Sequence, residues 1–242
     1  MARVFVNDST LTDIADAIRE KNGTEEMYKP SQMADAVRGI QSGGDSYYDE
    51  FWDEFQQNGA LTDYSYSFNS VGWTDNTLKP KYIIKPIKAT NMFSNGCKIT
   101  VVNDEKFDFS ECIQATDLFY LNSKIREVNI NITNITNFNG AFYYCGHLKD
   151  VTLRNINSEC SFLNAFYICS SLVNFNMTGT IGKSISFVNS ALLSDASIQS
   201  IIDGLADLTG STAQTLTFHA DVKAKLTESQ ISQITSKNWT LA

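Results

Sequence analysis

Between Tyr64 and Leu193 one aromatic position keeps returning, and this recurrence constrains the fold more than any other property of the chain. Aligning on it gives the anchors Phe68, Phe93, Phe119, Phe142 and Phe166, with Leu192 in the same place, spaced 25, 26, 23, 24 and 26 residues apart. The clearest copies, NGAFYYCGHLKDVTL at 139–153 and LNAFYICSSLVNFNM at 163–177, match position by position. Three residues after the anchor come Cys145 and Cys169, six after come Leu148 and Leu172, nine after come Val151 and Phe175, and eleven after come Leu153 and Met177. The copy at 119 fits with Asn122, Ile125, Val128 and Ile130, and four residues before the anchors stand Ala89, Ala115, Phe138, Phe162 and Val188. Alternate apolar residues at nine and eleven predict a short strand with its apolar side inward. Such a copy cannot bury its apolar edge alone, so stacked neighbours must cover it.

A period in the low to middle twenties is that of leucine-rich-repeat solenoids, and the spacing predicts one over 61–193. Asn137, Asn139, Asn155 and Asn157 flank the strands and suit tight corners, where the side chain bonds to nearby backbone. After Leu193 the pattern changes to a helix in SDASIQSIIDGLADLTG, an extended QTLTF, a helix from about Thr227 to Ser236, and NWTLA. This reads as an α/β carboxy-terminal cap over 194–242, because the end of a repeat stack needs an atypical unit to close it.

The amino-terminal part is organised differently. IADAIR at 14–19 and MADAVR at 33–38 are a small duplication, and each copy has helical spacing. Ser9, Thr10 and Asn22-Gly23 bound the first helix and Pro30-Ser31 opens the second, giving a helical hairpin over 1–41. A DNA-reading helix-turn-helix is the alternative, but Asp13, Asp16, Glu20, Glu25, Glu26 and Asp35 make it electrostatically unsuitable. Residues 42–46 lack an apolar anchor and read as a linker. Over 47–60, Tyr48, Phe51, Trp52 and Phe55 share one helical stripe, predicting an aromatic capping helix for the near end of the stack.

Composition narrows the function classes. The 242 residues are 43% hydrophobic and 19% charged, with 27 acids against 19 bases, as in a folded acidic protein. Without a basic run, phosphate-tracking nucleic-acid binding is not expected. No apolar run is long enough for a membrane span, and no secretory signal is read at the start, so membrane insertion is not expected. The five cysteines are an odd number and read as reduced thiols. Cys145 and Cys169 hold equivalent positions; adjacent copies would bring them close enough for a disulfide, or they are simply two small buried hydrophobes.

Catalytic motifs are lacking. His147 and His219 lie far apart with no second ligand at helical or hairpin spacing, and there is no P-loop, dinucleotide glycine fingerprint, nucleophile elbow or zinc spacing. No enzyme activity, metal or cofactor is expected. Recognition is better motivated. The residue after the anchor is Tyr120, Tyr143 and Tyr167 in three consecutive copies, a row that could bind glycans or proteins, or simply stabilise the stack. The outward strand residues form polar rows: Glu127, Asp150 and Asn174; Asn129, Thr152 and Asn176; Asn131, Arg154 and Thr178. Candidate ligand-binding residues are therefore Tyr120, Tyr143, Tyr167, Asn129, Thr152, Asn176 and Arg154.

The ordered series LTDIADAIREKNG, MYKPSQMADAVRGI, FWDEFQQNG, TDYSYSFNSVGWTDNTLKPKY, the AF-x-x-C-x-x-L repeats, and LADLTGSTAQTLTFHADVKAKLT to NWTLA resembles leucine-rich-repeat tail proteins of phages and prophages from gut-type Gram-positive bacteria. The repeats are similar to BspA-like leucine-rich repeats, although Gly96 and Asn122 stand where cysteine is usual. The resemblance implies an α+β chain, a short BspA-like solenoid with an amino-terminal helical hairpin and an α/β cap. It implies a tail-fibre or tail-tip component of the virion, expected to be a homo-oligomer. Residues 1–41 would contact other tail proteins and the solenoid would face a host-surface glycan or protein. The alternative is a BspA-like bacterial surface adhesin, which would require export; the lack of a read signal peptide favours a virion protein made in the bacterial cytoplasm.

Overall fold

Val128, Ile130 and Ile132 alternate with Glu127, Asn129 and Asn131, and that period of two can be satisfied only by a strand with one buried side. The computed structural model places it in a parallel sheet of β1 (Val101–Asn103), β2 (Glu127–Asn131), β3 (Asp150–Ile156) and β4 (Asn174–Gly179), in that order. Val128 pairs with Val151 and Val151 with Phe175, while Ile130 pairs with Leu153 and Leu153 with Met177, so equivalent positions of successive copies lie side by side. All four strands begin eight residues after their phenylalanine anchors. Among the described residues, mixed helices and parallel strands make the chain α+β. The structure describes Asp16 and residues 62–69, 73–76, 78, 80 and 82–242. The chain divides into two units, Met1–Gln57 and Asn58–Ala242. Apart from Asp16, which is helical and exposed, the expected hairpin of 1–41, linker of 42–46 and aromatic helix of 47–60 lie outside the described residues.

A second column of parallel bridges, Asp63 to Lys88 to Gln114 to Asn137 to Ser161, runs five residues before the anchors. Between the two columns the anchor rings stack: Phe68 on Phe93 at 5.5 Å, Phe93 on Phe119 at 5.3 Å, Phe119 on Phe142 at 5.2 Å, and Phe142 on Phe166 at 5.3 Å between centroids. Strands neighbour one another at roughly 4.8 Å, so rings and ladders advance by nearly the same step and one translation satisfies both. The turn carrying each anchor is also hydrogen-bonded to the next copy. Asp117, Phe119 and Leu121 donate their amides to Asn139, Ala141 and Tyr143, and Gly140, Phe142 and Tyr144 do the same to Leu163, Ala165 and Tyr167.

Presenting alternate amides in this way needs left-handed backbone two residues before and two after the anchor. Tyr66, Asn91, Asp117, Gly140 and Asn164 occupy the first position, with φ between 54° and 62°. Gly140 also has a packing reason: the Asp117 carboxylate occupies the space a Cβ would take. The expected corner asparagines behave as Asx turns at Asn137 and Asn157, whose side chains accept from the amides of Asn139 and Glu159.

Three expectations need correction. Leu192 is 57% exposed and is not an anchor, and Val188 is exposed too. The next anchor is Phe187, only 21 residues after Phe166, whose ring stacks on Phe166 at 4.9 Å. A constant period hides a shortened copy, and burial of an aromatic outweighs an aligned aliphatic. Thr178 does not continue the row of Arg154: the register shifts after Leu153, Asn155 turns left-handed with φ 56°, and Ile156 pairs with Gly179. Of the two readings of Cys145 and Cys169, the structure has the buried free thiols, each turned to a backbone carbonyl.

Beyond β4, β5 (Ile185–Phe187), β6 (Gln214–Phe218) and β7 (Trp239–Leu241) form a second parallel sheet. Helices α1 (Asp195–Asp203), α2 (Ala220–Ala224) and α3 (Glu228–Ser236) lie between its strands in sequence. Ser194 caps α1, and Thr227 with Gln230 makes a capping box on α3. Lys237 Nζ donates to the carbonyls of Ile202, Asp203 and Leu205, placing a cation at the negative end of α1. Both edges of the four-stranded sheet are covered by side chains. The Asp75 carboxylate accepts from the Thr100 amide at 2.9 Å and its hydroxyl at 2.6 Å, next to β1. At the other edge, Ser197 and Ser200 of α1 accept from the β4 amides of Phe175 and Met177. Hydroxyls thus take the place of a further strand and blunt the edge against pairing with another chain.

Candidate functional site

Because the anchor rings stack, the side chains immediately after them must step at the same interval. Tyr120 and Tyr143 stack at 5.0 Å with 13° between planes, and Tyr143 and Tyr167 at 5.0 Å with 23°. The tyrosine row read from the sequence is therefore assembled. Both faces of Tyr143 are covered by its neighbours, so this middle ring meets its surroundings through its edge rather than its faces. Partial desolvation pushes the Tyr143 phenol up, and Tyr144, Tyr167 and Tyr120 add to the shift, which places the phenol groups within electrostatic reach of one another.

The next residue along carries a signal that the sequence does not display. Asn95, Leu121, Tyr144 and Ile168 all have φ between 49° and 61°. Asparagine tolerates that conformation, whereas a bulky side chain there costs roughly 1–2 kcal/mol. The backbone reason is the amide: those of Asn95, Leu121 and Tyr144 donate to the carbonyls of Tyr120, Tyr143 and Tyr167 in the following copy, and that of Ile168 to the Asn189 side chain. Nothing in that bond requires a large side chain. Yet Leu121 is 41% exposed, Tyr144 is 43% exposed, and Ile168 is half-buried. Tyr144 leans on Tyr143 at 5.0 Å and meets Tyr167 edge-on at 5.8 Å. Tyr120-Leu121, Tyr143-Tyr144 and Tyr167-Ile168 thus form a double row of large side chains on three adjacent turns. The one clue in the sequence was that all three dipeptides are large and apolar.

Comparison with protein-family models, curated proteins and solved structures finds no match to this chain.

The polar candidates assemble separately, on strands that begin seven residues after the tyrosines. Asn129, Thr152 and Asn176 are in register across β2, β3 and β4. Arg154 is engaged on the protein itself: its guanidinium bonds the Asn129 side-chain carbonyl and forms an ion pair with Asp104, a partner the sequence did not suggest. Asn174 donates to Asp150 at 2.6 Å. Much of this face is thus committed to cross-strand bonds, whereas the tyrosine side keeps large apolar groups in water.

Among the described residues no group of three or more His, Cys, Asp or Glu could hold a metal ion. His147 is exposed, and His219 Nδ1 accepts from the Asp221 amide at the start of α2. Burial pushes the thiols of Cys97 and Cys112 up to about 11 and those of Cys160 and Cys169 up to about 12, which keeps them protonated and poorly nucleophilic at neutral pH.

Proposed function

We propose that this chain is a short leucine-rich-repeat solenoid of the BspA-like kind and a non-enzymatic structural and recognition component of a phage tail or phage-tail-like particle. The stacked anchors and the two parallel columns at fixed offsets from them support the solenoid reading. One observation carries the recognition reading. Leu121 and Tyr144 stay large and exposed, and Ile168 half-buried, at backbone angles that asparagine would occupy at lower cost. Local strain of this kind persists where function uses the side chain.

The ligand is a host-surface receptor. Since the faces of Tyr143 are taken, contact through ring edges and aliphatic groups favours a protein surface over a sugar stacked on a ring. In this reading residues 1–41 join the chain to other tail proteins and to sister copies, and repeated display turns weak contacts into avidity. The test is mass spectrometry and antibody labelling of particles purified after prophage induction. Label at a tail extremity is expected; absence from particles, with label on intact cells, would overturn the virion assignment.

A further inference from the structure

The three turns that carry the tyrosine dipeptides, 115–122, 138–145 and 162–169, contain a single charged residue, Asp117. It stands two residues before the anchor Phe119, at the position where the backbone is left-handed. Asn91 and Asn164 meet that requirement at φ 54° and 55°, against 54° for Asp117, so the backbone does not ask for a carboxylate. Nor does the fold supply a partner for one. The side chain is half-buried, its Oδ1 fills the space a Cβ at Gly140 would take, and the carboxylate makes no hydrogen bond or ion pair among the described residues. Burial pushes its carboxyl above the ordinary carboxylate range, with no cation or donor to offset the shift. The other half-buried acids among the described residues are all engaged. Asp75 accepts from Thr100, Asp108 from the Ser110 amide and Asp150 from Asn174, and Asp104 pairs with Arg154.

Resting on the host-receptor reading above, we propose that Asp117 is the charged centre of the recognition surface and that the receptor protein sets an arginine against it. A basic side chain supplies the partner that the fold withholds. Guanidinium suits this position better than ammonium: it is more weakly hydrated, so it loses less on entering a half-buried site, and its planar fork gives a carboxylate two parallel bonds. Tyr120 and Leu121, in the same turn, offer apolar surface to its methylene stem. The charge also separates this surface from a purely apolar one, since a partner that presents no cation leaves the carboxylate desolvated and unpaired.

The test compares the native chain with Asp117→Asn, which keeps the shape of the side chain and suits the left-handed backbone. In binding to cells of the source strain, the variant is expected to lose about tenfold or more in affinity at low salt and to show a weaker salt dependence, while its urea-unfolding midpoint holds or rises. Equal binding by the two chains, or a fall in binding matched by a fall in the midpoint, overturns the inference and leaves the host-receptor reading standing. Failure of the native chain to bind cells is instead a failure of that reading, and a titration with N-acetyl-arginine amide then decides the role of Asp117 by itself. Chemical-shift changes at the Asp117 and Gly140 amides that saturate in the native chain and vanish in Asp117→Asn support it; their absence from the native chain overturns it.

Discussion

Asn122, Cys145 and Cys169 differ in size and polarity, yet each stands three residues after an anchor and donates to a carbonyl of the preceding copy: Phe93 O, Phe119 O and Phe142 O, each at 3.1 Å. The position selects a small buried donor, which explains why asparagine can stand where two other copies have cysteine. Asn122 also accepts from the amides of Lys124 and Ile125. Asn122→Ala is therefore expected to cost about 1–3 kcal/mol in urea unfolding, with Asn122→Cys recovering part of the loss; an unchanged midpoint in the alanine variant would refute the donor role. The thiols also set a pH response. Their folded pKa values lie above the ordinary 9.0, so the stability they carry is complete below pH 9.0 and is lost as pH rises toward about 11 and about 12. In that window the unfolded chain releases protons that the folded chain keeps, at about 1.4 kcal/mol per pH unit for each thiol. Unfolding free energy measured at about pH 8 and about pH 10 should fall, less steeply in Cys97→Ala, and a flat profile would contradict the burial assigned to these thiols. At this scale the sequence was only partly legible. Residue type revealed the repeat, but neither the shared donor role of Asn and Cys nor the left-handed backbone of Leu121, Tyr144 and Ile168 is written in the side chains.

The elements were read more successfully where periodicity was strong. The alternation in EVNIN and DVTL predicted strands at β2 and β3, and the helices read in SDASIQSIIDGLADLTG and from about Thr227 to Ser236 lie where α1 and α3 stand. The expected helix at 194–210 stops at Asp203, because Gly204 caps it, and α2 is too short to show a period. β5 was missed because its copy is shortened, so Phe187 falls outside a register drawn from equal spacings. The anchor stack is what holds these elements at a common step. Phe142 is fully buried, lies between Phe119 and Phe166, and meets Phe138 edge-on at 5.6 Å. Phe142→Ala should cost about 3–5 kcal/mol by leaving a cavity between two copies, read from a thermal or urea melt. A melt like that of the native chain would show that the stack is not what couples neighbouring copies.

Across the whole described molecule the two long faces have different chemistry. The sheet face spends several of its polar groups on itself, through Arg154 with Asp104 and Asn174 with Asp150. The turn face exposes aromatic and aliphatic side chains, and at Leu121 and Tyr144 on two adjacent turns it does so at a conformational cost. The repeat and the tyrosine row were legible because they recur; the cost was not, since it exists only once the chain has turned. The recognition surface proposed for this chain is Tyr120-Leu121, Tyr143-Tyr144 and Tyr167-Ile168, and the proposal separates binding from stability. The direct test is a triple variant, Leu121→Asn, Tyr144→Asn and Ile168→Asn, compared with the native chain in quantitative binding to cells of the source strain and in urea unfolding. A fall in binding of about tenfold or more with the unfolding midpoint held or raised is the predicted result, each order of magnitude being about 1.4 kcal/mol of lost contact. Undiminished binding by a folded variant would contradict it.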